Sequence, residues 1–314
     1  MNTSQMSMNE PILATGGYDH TIKIWSPHSA TSVKTLQHSD SQVNALAVKN
    51  FLAAGGFQSI RLYDLNSSTN PIINFEGVSK NVTAVGFQED GRFMYTGSED
   101  CRVRIWDLNC HQPVCKRMFD CLTPVNSVCL HPNQIEVAIS TSSGSIYIWD
   151  IKSDNNEQLL PEMNSSLNCI DISSNGKYLA AISNKGSAYI WDLYNEGKDQ
   201  LTKIIPKLKF LAQTRYGLKC KFSPDSTLFV TTGGDGTARV YRTDDDFQLY
   251  REIKIDKFWI WDVVFSSDSK YLFAASSDGT ARLWKIETKT IEREYLGHSK
   301  ALTAIAFRDE FVKA

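Results

Sequence analysis

Apolar residues fall along this chain in short bursts that begin at regular distances. Seven of them read VNALAV (43–48), VTAVGF (82–87), VNSVCL (125–130), LNCIDI (167–172), GLKCKF (217–222), IWDVVF (260–265) and LTAIAF (302–307). Polar turns such as EDG, HPNQ, SSNG, SPDS and SSDS follow most of them, and each turn leads into a further apolar run such as FMYTG or YLAAI. Short apolar runs bounded by Gly, Pro, Asn, Asp and Ser are the pattern of β-strands joined by tight turns. A third kind of run ends on an aromatic residue. YDHTIKIW closes at Trp25, and the equivalent places hold Tyr63, Trp106, Trp149, Trp191, Tyr241 and Trp284.

Those aromatic positions are 38, 43, 43, 42, 50 and 43 residues apart. A period of about 40–45 residues built from four strands is that of WD repeats, each of which forms one propeller blade. Seven copies predict an all-β fold, a seven-bladed WD-repeat β-propeller. The first copy starts inside a blade, at ILATGG, and the last is a lone inner strand, LTAIAF. Residues 302–307 are therefore expected to complete the blade made by residues 12–37, which closes the ring and removes exposed sheet edges. The expected organisation is a short polar tail (1–11), one propeller (12–307) and a C-terminal tail (308–314).

Asp stands six residues before the aromatic position in four units: Asp19, Asp100, Asp235 and Asp278. Two of these are followed by Gly, and Asp-Gly predicts two-residue hairpins with both central residues at positive φ. His298, in LGHSK, completes a His–Asp–Trp set with Asp19 and Trp25, the buried hydrogen-bond network of well-formed WD repeats. His38 faces Phe57 where an Asp is expected. An Asp–His pair also resembles part of a catalytic site, but no serine or cysteine nucleophile is placed beside this one, so the reading is structural.

Composition removes several classes of function. Hydrophobic residues are 42% and charged residues 22% of 314, the formal net charge is −2, and no basic surplus points to nucleic acid or an anionic membrane. No apolar run approaches the ~18 residues of a membrane-spanning helix, and the polar start MNTSQMSMNEP lacks the features of a secretory signal. Seven cysteines without a C-x-x-C, of which Cys129, Cys169 and Cys220 fall in strand-like runs, fit buried small side chains in the reducing cytosol. His20, His28, His111 and His131 show no metal-ligand spacing. The TDDDF run (Asp244–Asp246) reads as a solvated outer turn rather than a calcium loop. The NSS triplets at Asn66 and Asn164 fit a glycosylation pattern that matters only in a secreted chain. No phosphate-cradling loop is present, and neither a cofactor nor a metal is expected.

Function in a propeller lies on its faces. Each inner strand offers two positions at its entry, one before and one after the first apolar residue. They are Gln42/Asn44, Asn81/Thr83, Pro124/Asn126, Ser166/Asn168, Tyr216/Leu218, Trp259/Trp261 and Ala301/Thr303. Four consecutive units are small or polar there; the fifth and sixth inner strands of the list are aromatic or apolar. Ile260 takes the place of Val43, Val82 and Val125, so it belongs to the core and the tryptophans face the rim. Tyr216, Leu218, Trp259 and Trp261 are expected to form one patch, an interface unless the segment IPKLKFLAQTR (205–215) covers it.

The chain resembles the small WD-repeat subunit of the target-of-rapamycin (TOR) kinase complexes, the G-protein-β-subunit-like family. Matching stretches include ILATGGYDHTIKIW, DSQVNAL, IRLYDLNS, EDGRFMYTGSEDCRVRIWDL, TRYGLKCKFSPDST and EREYLGHSKA. The segment before FWIW is shorter than in family members that carry an insertion there. The resemblance implies a non-catalytic subunit of TOR complexes one and two, docked on the C-terminal lobe of the kinase domain and supporting its active form in growth and nutrient signalling. It assigns kinase contact to Gln42, Asn44, Trp259 and Trp261. It also implies a cytoplasmic location, with lysosomal or other endomembranes reached only through partners, and no self-association outside the complex. The alternative is a generic WD-repeat scaffold. A G-protein β subunit needs an N-terminal coiled coil, and only ~11 residues precede the first strand. Ubiquitin-ligase receptors often carry Trp-Asp-x-Arg, whereas here the sequences are WDLN, WDIK and WDLY. A propeller enzyme would need paired carboxylates or a His cluster in a channel expected to be lined mainly by Asn, Thr and Ser.

Overall fold

A computed structural model describes residues 10–38, 41–66, 69–110, 114–194, 201–255 and 257–309. His111 and most of both terminal tails lie outside these residues. The described chain forms seven four-stranded antiparallel sheets and contains no helix. The inner strands are Leu302–Arg308, Ala45–Val48, Val82–Phe87, Val125–Leu130, Leu167–Ile172, Gly217–Phe222 and Ile260–Phe265, and we number blades 1 to 7 in that order. Blade 1 is closed as the repeat phase requires. Leu302–Arg308 pairs with Ile12–Gly17, from Ile12 opposite Arg308 to Gly17 opposite Leu302.

The aromatic that ends each third strand is the bolt of its blade. Trp25, Tyr63, Trp106, Trp149, Trp191, Tyr241 and Trp284 are all buried, because a large ring between two sheets removes more apolar surface from water than any aliphatic side chain there could. Five residues before each of them the chain turns, and the turn residue takes a left-handed backbone: His20, Gln58, Cys101, Gly144, Gly186, Gly236 and Gly279. The two Asp-Gly turns differ from the expected hairpins. Gly236 (φ 75°) and Gly279 (φ 81°) take positive φ, but Asp235 and Asp278 do not. The Asp uses its carboxylate instead: Asp235 accepts from the Thr237 N–H at 3.1 Å and the Thr237 hydroxyl at 2.6 Å.

All four repeat aspartates are tied into buried networks. In blade 1 the Trp25 indole N–H donates to Thr15 Oγ1 at 2.7 Å, and that hydroxyl lies 2.8 Å from His298 Nε2. The other ring nitrogen, Nδ1, is 2.9 Å from Asp19 Oδ2. Burial pushes the His298 imidazole below its ordinary value, outweighing the pull of Asp19. The pair is therefore a neutral imidazole donating from Nδ1 to a carboxylate rather than an ion pair. Burial would raise the Asp19 carboxyl, yet the facing His298, the Thr21 hydroxyl and the Ser299 and Thr21 N–H groups together hold it below the usual range. The other three networks replace the histidine. Arg104 grips Asp100 through both terminal guanidinium nitrogens, at 3.1 and 2.8 Å. Arg239 meets Asp235 at 2.8 Å and Arg282 meets Asp278 at 2.7 Å. Gln213 lies four residues before the inner strand of blade 6, as His298 does in blade 1, and donates to Thr231 Oγ1 at 2.8 Å. His38 is buried, with Ser59 Oγ at 3.2 Å and the Tyr63 hydroxyl at 3.4 Å.

Two further expectations change. The inner strand of blade 2 begins at Ala45, not Val43. The segment 205–215 does not fold over the rim, because its first part belongs to the outer strand Lys203–Leu211, paired to Ser187–Tyr194 along its length.

Candidate partner-binding site at the channel mouth

The inner strands surround a central channel, and one mouth opens into a cavity of about 400 Å³. The second entry position of every inner strand lines it, and the register explains why. Val82 pairs with Ser98 but Ala84 with Gly97, so Thr83 is an extra residue without a partner. The same slip isolates Asn126, Asn168, Leu218, Trp261 and Thr303. A β-bulge swings the inserted side chain out of strict alternation, here into the channel mouth. In blade 2, whose inner strand is short and has no bulge, the Asn44 N–H bonds the Gly55 carbonyl instead.

Most of these side chains hold neighbouring blades together. Asn126 Nδ2 donates to the Leu167 carbonyl at 2.9 Å, Asn168 Nδ2 to the Gly217 carbonyl at 2.7 Å, and Thr83 Oγ1 to the Val125 carbonyl at 2.9 Å. Thr303 donates in the same way to the Val43 carbonyl, and Asn44 Nδ2 reaches Asn81 Oδ1 at 3.4 Å. Asn81 in turn donates to Glu99 at 2.8 Å. The belt is interrupted at two adjoining places. Leu218 has no donor, and the Trp261 indole N–H finds no partner among the described residues. Blades 6 and 7 thus give up an inter-blade hydrogen bond that a neutral side chain commonly contributes at about 1 kcal/mol.

What they gain is an aromatic surface. The Trp259 and Trp261 ring centroids are 5.3 Å apart, and Tyr216 stands 6.1 Å from Trp259. Ile260 between the tryptophans is fully buried, while both indoles are half-buried and Tyr216 is 55% exposed. The tryptophans meet because Trp259 precedes the strand and Trp261 occupies its bulge, not through simple alternation. Trp259 is held in place: its backbone N–H donates to Ser277 Oγ at 3.0 Å, and its ring lies over Gly234. Leu218 lines the cavity beside Trp261; Gln42 and Asn44 line it with Tyr18, which is 41% exposed. Phe258 and Leu296, in the loops entering blades 7 and 1, are exposed apolar side chains.

The channel interior carries charge that the Asn/Thr/Ser expectation missed. Lys221 of blade 6 meets Asp171 of blade 5 at 2.8 Å, and Lys219 meets Asp262 of blade 7 at 3.5 Å. Asp171 also accepts the Phe222 N–H at 2.8 Å and Asp262 the Ile305 N–H at 3.0 Å. Asp171 therefore bridges blades 5 and 6, and Asp262 ties blade 7 to both blade 6 and blade 1. These residues stand further along the inner strands than the entry positions, which is why the rim alignment passed over them. All seven cysteines are free thiols, with Cys169 and Cys220 buried and Cys129 donating to Asp171 at 3.5 Å.

Residues 1–175 match the family model described as nucleolar protein 10-like, N-terminal domain, and residues 216–242 and 248–285 match that of the WD domain, G-beta repeat. Full-length relatives decide between them. The chain is 53% identical over 307 residues to the "Protein LST8 homolog" of Drosophila pseudoobscura pseudoobscura, covering 96% of this chain and 97% of that one. The chain belongs to the LST8 family. Within that family it is 49% identical over 323 residues to the "Target of rapamycin complex subunit LST8" of Mus musculus, covering 98% and 99% of the two chains. It is 41% identical over 304 residues to the protein of the same description from Saccharomyces cerevisiae, covering 95% and 99%.

Proposed function

We propose that this chain is a non-catalytic subunit of TOR complexes one and two that docks the TOR kinase domain on its aromatic channel mouth. Two supports are the names of its full-length relatives, which are target of rapamycin complex subunits, and the sequence resemblance to that family. The observation that carries the docking surface is the belt interruption at Leu218 and Trp261. Two neighbouring blades exchange inter-blade hydrogen-bond donors for apolar and aromatic side chains, and one of these leaves a ring N–H unpaired. Such an exchange disfavours the free propeller and is explained when a partner covers the patch. Trp and Tyr lead the composition of binding hot spots.

Gln42 and Asn44, across the same cavity, supply polar contacts at its edge. A rigid ring clamped on the C-terminal lobe of the kinase biases that lobe toward its ordered state, which requires only that the propeller bind that state more tightly. The subunit acts in the cytoplasm and reaches membranes through its partners. Affinity capture of the tagged chain from its own cells, followed by mass spectrometry, tests the reading. Recovery of the TOR kinase is the expected result; recovery of G-protein γ subunits or cullin adaptors in its place would overturn it.

A further inference from the structure

Away from the channel mouth, blades 3 and 4 enclose a cleft of about 510 Å³. Its floor is apolar, made by Phe93, Ile105 and Ile151, and its walls are cationic, made by Arg92, Lys116, Arg117 and Lys152. The residues belong to the turn after the inner strand of blade 3, to the ends of the third strands of both blades and to the start of the bulged outer strand of blade 3, so the cleft opens at the ends of the strands opposite to the aromatic patch.

The acids nearby have hydrogen-bond or ion-pair partners other than the side chains of Arg117 and Lys152. Asp107, the one carboxylate lining the cleft, pairs with Lys116 and accepts the Asn109 N–H at 2.9 Å. Asp150 accepts the Lys152 and Ser153 N–H groups at 2.6 and 3.1 Å, and Asp154 accepts the Trp149 indole at 2.7 Å. Arg92 lies 3.6 Å from Asp90, with both side chains in solvent. No ion pair among the described residues occupies the Arg117 guanidinium or the Lys152 ammonium. Arg117 and Lys152 thus stand in the cleft without an ion-pair partner, above an apolar floor.

We propose that the cleft docks a phosphorylated peptide segment of a partner protein, with the phosphoryl group between Arg117 and Lys152 and an adjacent apolar side chain on Phe93 and Ile151. A phosphate monoester carries about two negative charges at neutral pH, which matches the two free cations. The planar guanidinium of Arg117 suits two of its oxygens at once. A concave cleft between blades fits a narrow chain rather than a flat lipid surface, and the apolar floor distinguishes a peptide from a nucleic acid backbone. The proposal stands independently of the docking surface at the channel mouth.

The test is fluorescence anisotropy with a fluorescein-labelled, phosphoserine-oriented peptide library and its unphosphorylated counterpart, on the purified chain and on Arg117→Ala/Lys152→Ala. Both side chains are solvent-facing, so the variant keeps its fold, checked by its melting curve. The phosphorylated library is expected to bind at least about tenfold tighter than its counterpart, with the advantage lost in the variant and reduced as salt rises from about 0.1 to 0.5 M. Equal binding of the two libraries, or an advantage that survives in the variant, overturns the proposal. So does binding of phosphatidylserine vesicles without any peptide preference, which would assign the cations to a membrane.

Discussion

The Trp259 ring rests on Gly234, and a β-carbon at Gly234 would stand 3.2 Å from the indole. Blade 6 thus sets the pose of a tryptophan that belongs to blade 7. Gly234 has no positive φ that would forbid a larger residue. Gly234→Leu is expected to tilt the Trp259 ring off its seat, weakening capture of the TOR kinase several-fold while the melting temperature moves by little. Paired binding and melting measurements check this.

The His298–Asp19 contact predicts an acid-sensitive ring closure. His298 is held below its ordinary value of 6.5 by burial, so the folded chain binds fewer protons there than the unfolded chain once the pH drops below about 6.5. A group depressed on folding gives its full stabilisation above the unfolded value and loses it as pH falls. Asp19, held below 3.8, adds a loss of the same sign in stronger acid. Stability is expected to decline from pH 7.5 to 5.5, with the His298 share bounded by about 1.4 kcal/mol per pH unit for one proton. His131, also pushed down by burial, contributes to the same slope. His298→Gln, an exchange that Gln213 already represents in blade 6, should flatten the profile by the His298 share alone. Denaturant titrations across that range measure it.

How much of this was open to the sequence follows from which signals are local. The period of the aromatic positions is a property of the chain alone, so seven blades and the closing strand Leu302–Arg308 could be read directly. The bulges at Thr83, Asn126, Asn168, Leu218, Trp261 and Thr303 depend on the register of a second strand. Without them, Trp259 and Trp261 look like a simple alternating pair. The Arg partners of Asp100, Asp235 and Asp278 did leave a signal, an arginine four residues after each aspartate. It is easily missed because a charged residue in a strand reads as solvent-facing until the neighbouring loop is seen to bury it. The cleft between blades 3 and 4 joins Arg92, Arg117 and Lys152, which are far apart in the chain and carry no common motif.

The left-handed turn residue of each blade predicts opposite effects at two equivalent positions. At Gly186 (φ 84°) a β-carbon would lie 2.2 Å from the Gln213 carbonyl oxygen and 2.6 Å from that of Arg215. Gly186→Ala is expected to destabilise by at least about 2 kcal/mol, combining the left-handed penalty with a backbone clash. Gln58 already holds φ 54°, so Gln58→Gly relieves strain there and should leave the melting temperature unchanged or raised. Thermal melts of the two variants decide it.

Ring closure predicts a global effect from a terminal deletion. Removing residues 300–314 strips blade 1 of its inner strand and uncovers the edge of Ile12–Gly17. The truncated chain is expected to aggregate or to lose cooperative unfolding, as read by size-exclusion chromatography and calorimetry. A truncated chain that melts like the full one would contradict closure as the source of stability.

The central claim, that the aromatic channel mouth holds the kinase, is tested most directly by the dissociation constant of Trp259→Ala/Trp261→Ala for purified TOR kinase domain, measured beside the parent chain. Truncating a tryptophan hot spot commonly costs about 2 kcal/mol or more, so affinity should fall at least about 30-fold. Because Ile260 carries the core contact at 0% exposure, the melting temperature should stay close to that of the parent. An unchanged dissociation constant in a folded double variant would contradict the claim.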